Sequence, residues 1–308
     1  PAAPYELIDI LHPDFADMRA FGISDSGLLV GYSNPKANRS LNVLLSKYRD
    51  RGPEFWKGGR AKASGVNEHQ QIAATIIRDD KTSIATIIDY RTGRPTVLRE
   101  FLEGGEAEAN DINVRGDVVG RVTIDPTRRE QTFWRPAAWV DGELYVLQSD
   151  RFDWGYGVGI AANGEVLAVA YVGQEVRGIR WDPIPGTVEW VGHPGVVPLG
   201  MASNGLVLGA GRDRDGNAIA VRADRGGNWT PIGTPRGYYA NVINERGDVA
   251  GHTEAVGKHR PWVRFADGRL FWLPRYKYHY CLPTKISNGG PIVGNATADH
   301  GSHAILWS

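Results

Sequence analysis

One arrangement of apolar and polar positions recurs along the chain: an apolar residue, a small polar one, two turn residues, a glycine, then an apolar run that often ends in glycine. The copies are ISDSGLLVG from Ile23, VNEHQQIAA from Val66, INVRGDVVG from Ile112, IAANGEVLA from Ile160, MASNGLVLG from Met201, INERGDVAG from Ile243 and ISNGGPIVG from Ile286. Their turn positions, Gly27, Gln70, Gly116, Gly164, Gly205, Gly247 and Gly290, are 41 to 48 residues apart. Each copy predicts a tight hairpin: one strand runs into the apolar residue, and a second leaves with a run such as Asp248-Val249-Ala250-Gly251. A third strand carries a bulky apolar residue, as in Ala137-Ala138-Trp139, Ile179-Arg180-Trp181 and Pro261-Trp262-Val263. A turn such as Asp141-Gly142 or Asp267-Gly268 leads to a fourth, Leu144–Leu147 or Leu270–Leu273. Four short strands and their loops account for the period.

Repeats of this length built from four antiparallel strands predict propeller blades. The last repeat stops at Ala304-Ile305-Leu306-Trp307-Ser308, a third strand without a fourth, and the chain opens with Tyr5-Glu6-Leu7-Ile8-Asp9-Ile10-Leu11, a strand without a repeat. The expected fold is therefore all-β: a single seven-bladed β-propeller domain over residues 1–308, its N-terminal strand completing the last blade. A capped solenoid is the alternative, and the split repeat argues against it.

Composition adds exclusions. The 308 residues carry 35 Lys+Arg and 35 Asp+Glu, so no excess of positive charge points to nucleic acid or an anionic membrane. No apolar run reaches the roughly 18–20 residues of a membrane helix. The 39 glycines and 10 tryptophans fit turns and strands. One cysteine, Cys281, excludes an internal disulfide and a cysteine-based zinc site. No basic region followed by an apolar one marks a signal peptide near Pro1, so either one has been removed or the protein is cytoplasmic.

The pattern A-x-x-I-N-x-x-G-x-V-x-G, clearest in ANDINVRGDVVG from Ala109 and ANVINERGDVAG from Ala240, resembles that of the HAF-type extracellular repeat proteins. The second and fourth repeats depart from it, with Gln70 for the turn glycine and Ala161-Ala162 for Asn-x. The resemblance spans nearly the whole chain and implies a propeller and a secreted or periplasmic location. It transfers no catalytic residue, because its motif is structural.

Positions that differ between blades are the candidates for chemistry. Four residues before the repeat's first apolar residue stand Arg19, Lys62, Glu108, Tyr156, Val197, Tyr239 and Leu282. Five after the turn position stand Tyr32, Thr75, Arg121, Val169, Ala210, His252 and Asn295. Both sets should form rings near the channel mouth, on the rim of the long irregular loops. Glu108 would then have Lys62 on one neighbouring blade and Tyr156 on the other. Glu108 or His252 could move protons, while Arg19, Lys62 and Arg121 could hold an anionic or carbonyl group. The same residues could equally be ion pairs between blades.

Trp134 and Trp154, expected in long loops, with Tyr156, Tyr239, Tyr32 and Asn295, would form walls for a sugar ring or flat ligand, or else pack locally. Tyr276–Tyr280 occupies an equivalent connection. Among the remaining histidines, His12, His193, His259 and His279 read as loop residues, and His300 with His303 as a weak metal pair. Asp213-Arg214-Asp215-Gly216-Asn217 fits an Asp-Gly turn better than a calcium loop. No phosphate-binding glycine loop or nucleophile elbow appears.

The expected function is one asymmetric site in a monomer. It would serve a metal- and cofactor-independent acid/base enzyme (lyase, cyclase or hydrolase type) acting on a small organic or sugar molecule. The alternatives are a secreted carbohydrate-binding or surface-recognition propeller and a protein-interaction scaffold. A multivalent lectin should repeat one pocket in most blades, whereas these rim residues differ blade by blade.

Overall fold

Each repeat folds into one sheet of four antiparallel strands, giving seven such sheets in a computed structural model. It describes residues 4–36, 41–47, 52–125, 127, 133–191, 196–213, 215–216, 218–224, 227–234, 237–255, 258–298 and 301–308. Among these residues there is no α-helix. The inner strands of blades one to seven are β2 (Phe15–Ile23), β6 (Ala61–Val66), β10 (Ala107–Ile112), β14 (Trp154–Ile160), β18 (Val197–Met201), β22 (Tyr238–Ile243) and β26 (Tyr280–Ile286). The last blade contains β26, β27 (Ile292–Ala298), β28 (Gly301–Trp307) and, outermost, the N-terminal β1 (Leu7–Ile10). Leu7 pairs with Trp307 and Ile10 with Ala304, so the first and last segments of the chain close the ring. Closure covers an edge that would otherwise present unpaired backbone groups.

The repeated residues hold neighbouring blades together. Asn113 is buried in the inner hairpin turn of blade three; its Oδ1 accepts the N–H groups of Arg115 and Asp117 at 3.0 and 2.9 Å. Its Nδ2 donates to Asp117 Oδ2 at 2.8 Å and across to the Ala161 carbonyl of blade four at 2.9 Å. Asn67 reaches the Asn113 carbonyl in the same way at 2.9 Å, and Asn244 the Ser287 carbonyl at 3.1 Å. The asparagine of the motif thus folds its own turn and fastens it to the next. The final glycine of the motif serves a close approach: a Cβ on Gly120 would lie 1.8 Å from the Glu108 carbonyl oxygen. The turn position demands a left-handed backbone, and Gln70 adopts it (φ 63°) where six blades have glycine.

Every inner strand is bulged against its partner over one residue: Phe21, Ser64, Asn110, Val158, Leu199, Asn241 or Thr284. All seven line one small channel cavity of about 120 Å³. The bulge turns one side chain per blade toward the axis. Polar ones also stitch blades: Ser64 Oγ donates to the Ala109 carbonyl (2.6 Å), Asn110 Nδ2 to that of Gly157 (2.8 Å) and Thr284 Oγ to that of Ala20 (2.8 Å). Between the sheets lie the fully buried Trp139, Trp262 and Trp307.

Candidate functional site

The bulge fixes where the variable residues point, because the two residues before it alternate in the ordinary way from the long-loop end of the inner strand. The register joins the two predicted rings: Arg19 faces Tyr32, Lys62 Thr75, Glu108 Arg121, Tyr156 Val169, Val197 Ala210, Tyr239 His252 and Leu282 Asn295. These pairs fall into separate groups.

The first group spans blades two to four. Arg121, on β11 (Val118–Thr123), donates from Nε and Nη2 to Glu108 Oε2 at 3.1 and 2.9 Å. Lys62 Nζ of the preceding blade lies 3.5 Å from the same oxygen. The Arg121 guanidinium also covers the Trp134 ring at 4.2 Å, a cation–π contact. On blade four, Trp154 stacks on Tyr171 at 3.7 Å with the rings nearly parallel, and Tyr156 lies beside both. Burial, and then Tyr171, push the Tyr156 hydroxyl up to about 12 against a smaller opposing effect of Arg121, so it stays a proton donor. Tyr171 escaped the sequence reading, although it faces Trp154 across the hairpin and stands two residues beyond the ring position Val169. That alternation was the available signal.

Trp134 and Trp154 are not loop residues. They are the first residues of β12 (Trp134–Val140) and β14, and Trp134 is buried. Their ladders run one or two residues past the repeat's apolar core, because Trp134 pairs with Thr123 and Trp154 with Tyr171.

The second group spans blades six and seven. Tyr239, His252 and His259 stack in a row, with centroids 5.4 and 4.8 Å apart, and Tyr280 meets His259 at a tilt at 4.7 Å. His252 Nδ1 is 2.9 Å from Asn241 Oδ1. An amide oxygen only accepts, so Nδ1 carries a proton. Blade six lies about opposite blade three in a ring of seven, so Glu108 and His252 do not form one contact pair.

The remaining candidates stand apart. Arg19 is exposed and reaches Ser302 Oγ at 3.4 Å. Tyr32 stacks on Phe21. Asn295 Oδ1 accepts the Ala20 N–H at 2.8 Å, and the Thr75 hydroxyl does the same for Ala109, so these two side chains serve the backbone of the next blade. Asp213 turns through its side chain and carbonyl onto Asp215 and Gly216, as an Asp-Gly turn does. His193, His300, Arg214, Asn217, Gln131 and Thr132 lie outside the described residues. Among the described residues, no group of three or more His, Cys, Asp and Glu could hold a metal ion.

None of the predicted residues lines the channel cavities. The larger of these, about 280 Å³, opens at the opposite rim among the inner hairpin turns of all seven blades. Asp111 and Lys285 line both channel cavities and meet at 3.6 Å, from blades on opposite sides of the axis.

No protein-family model matches the chain, and no curated protein matches it in sequence. Solved structures do. It is similar to an oligogalacturonate lyase in complex with manganese, at 12% identity and a TM-score of 0.74, covering 99% of this chain and 93% of that one. It is similar to the β-propeller domain of the trilobed protease from Pyrococcus furiosus, at 12% identity and a TM-score of 0.69, covering 96% of each. That propeller is described as having an open velcro topology; here β1 closes the ring. A puromycin-hydrolysing peptidase of Mycobacterium tuberculosis gives a TM-score of 0.65 at 13% identity over 99% of this chain, which spans 55% of that protein. At these identities the likeness establishes a seven-bladed propeller, a scaffold that carries enzymes among other functions.

Proposed function

We propose that the long-loop face carries one asymmetric site for a small organic or sugar molecule with an anionic or carbonyl group, and that the chain is an acid/base enzyme of lyase, cyclase or hydrolase type using no metal. The observation that carries this is the convergence of Lys62 and Arg121, from two blades, on the single Glu108 carboxylate beside the aromatic shelf of a third blade. Two cations against one carboxylate leave one positive charge uncompensated within this group. Arg121 has five N–H donors and directs two at Glu108, so the others suit an oxyanion.

In this reading Glu108 positions both cations. Tyr156, held protonated, donates to the charge that develops on the substrate. Trp154 and Tyr171 form the wall, Trp134 lies buried beneath Arg121, and the Glu108 carboxylate accepts the substrate proton, since His252 stands on the far side of the ring. Uronates are the first class to try, since they join a sugar ring to a carboxylate and one structural neighbour is a lyase of oligogalacturonate. Membership of the HAF-type repeat proteins, export and a monomeric state belong to the same proposal and rest on the repeats quoted above.

The test is ligand-induced thermal stabilisation with uronic acids and aromatic carboxylates, followed by nuclear magnetic resonance detection of turnover in the presence of a chelator. Arg121→Gln and Lys62→Gln should weaken binding, Glu108→Gln should abolish turnover, and His252→Ala should leave it unchanged. Binding unaffected by Arg121→Gln would remove the site. Binding without turnover would favour the second reading, a recognition propeller without catalysis, which the full engagement of Glu108 by two cations also supports.

A further inference from the structure

Ring closure brings together residues that no repeat pattern connects. Asp9 on β1 lies beside His303 on β28, with His303 Nδ1 at 3.2 Å from Asp9 Oδ1. The Tyr278 hydroxyl, from the connection into β26, donates to the other oxygen of the same carboxylate. A carboxylate accepts only, so Nδ1 of His303 carries a proton, and in the neutral ring the lone pair lies on Nε2. This is the arrangement by which a carboxylate fixes the tautomer of a basic imidazole.

The dyad borders a cavity. His303 is one wall of a space of about 460 Å³ between the last blade and the first, where Leu11, Phe15, Ala16 and Met18 supply apolar surface. Phe15 is fixed by stacking on Phe55 at 3.9 Å, and Lys36 ties the segment to β3 (Leu28–Pro35) by donating to the Pro13 carbonyl at 2.6 Å. A mostly apolar space of this size with a few convergent polar groups is the usual form of a small-molecule site. A fixed acceptor at an apolar wall selects a ligand with one hydroxyl on a flat apolar body.

We propose that this seam cavity is a second ligand site, separate from the long-loop cluster of blades two to four, and that it takes a phenol whose hydroxyl donates to His303 Nε2. The ring lies against Leu11, Phe15 and Met18. Burial and the bond to Asp9 hold the Tyr278 hydroxyl protonated, which keeps Asp9 an acceptor toward both neighbours.

The experiment compares 2-naphthol with naphthalene, which offers the same surface and no donor, by fluorescence titration of the full chain. A hydrogen bond from the naphthol hydroxyl should make it bind about tenfold tighter than naphthalene. His303→Phe and Asp9→Asn should each remove most of that difference and leave naphthalene binding unchanged. Because Asp9 and His303 also lie in the closing strands, Ala16→Trp is the second variant: Ala16 is exposed at the cavity wall, so the fold should hold while both ligands are excluded. Equal affinity for naphthol and naphthalene, an unchanged difference in His303→Phe, or undiminished binding in Ala16→Trp would each overturn the proposal.

Discussion

Replacing Asn113 by alanine tests whether the repeated asparagine is a fastener between blades. The side chain makes four hydrogen bonds, two within its own turn to backbone N–H groups, one to Asp117 and one to the Ala161 carbonyl of the next blade. Asn113, Asp117 and Ala161 are all buried. A net hydrogen bond contributes about 1 kcal/mol, and a buried group left unpaired costs somewhat more. Asp117 keeps Arg115 and the Asp141 N–H as partners, so its charge is not orphaned. Water that reaches the turn recovers part of the rest. The expected loss is about 3–4 kcal/mol. With an unfolding entropy of about 2.1 cal/mol/K per residue, the whole chain has roughly 0.65 kcal/mol/K, so Tm should fall by about 5–6 °C. The assay is calorimetric or fluorescence-detected melting beside Asn163→Ala. Asn163 is exposed in the equivalent turn of blade four and makes one local bond, to the Glu165 N–H. That control should move Tm by under about 1 °C. A shift for Asn113→Ala no larger than for Asn163→Ala would refute the fastening role.

Gln70→Gly relieves a non-glycine residue in the left-handed region and should stabilise by up to about 1 kcal/mol in a urea titration, whereas Gly116→Gln should destabilise at least as much. Arg180→Met removes a buried guanidinium that bonds Glu165 Oε1 and the carbonyls of Gly205 and Asp224, and should cost about 3–5 kcal/mol by the same titration. Burial raises the Cys281 thiol from 9.0 and the Tyr156 hydroxyl from 10.0, both to about 12. The folded chain therefore holds these protons more tightly than the unfolded chain. The associated stability is complete below about pH 9 and is lost as pH rises toward about 12. Urea midpoints measured across this range should fall, and Cys281→Ala should flatten the part that begins near pH 9.

The fold was legible because the residues that build a blade must recur wherever a blade occurs. The turn position answers a left-handed backbone required in all seven repeats, and the asparagine of three of them and the glycine of close approach recur around it. The variable rings were legible to the extent that alternation fixes cross-strand partners, and Glu108 facing Arg121 with Lys62 alongside follows from spacing alone. Tyr171 was missed because its position was judged by the repeat core, and the ladder of blade four runs beyond it. The Asp9–His303–Tyr278 group had no sequence signal. Asp9 lies 269 and 294 positions from Tyr278 and His303, outside the repeated motif, and only closure of the ring makes it their neighbour.

The fourth and fifth repeats show how variation and scaffold trade places. Blades four and five have Ala161 and Ala202 where the motif has asparagine; blade five still reaches blade six through Asn204 Nδ2, which donates to the Glu245 carbonyl at 2.7 Å. At the junction of these two blades Arg180 substitutes. It rises from the third strand of blade four, is held by Glu165 at 2.6 Å, and donates to two carbonyls of blade five, Gly205 at 3.2 Å and Asp224 at 3.1 Å. A single buried cation with several donors thus does at this junction what the amides of Asn67, Asn113 and Asn244 do in blades two, three and six. A charged residue that differs from its counterparts is therefore not functional on that ground alone. Arg180 is buried with its donors engaged by protein groups, whereas Arg121 and Lys62 are partly exposed and share one carboxylate. Whether protein partners consume the charge separates the two cases.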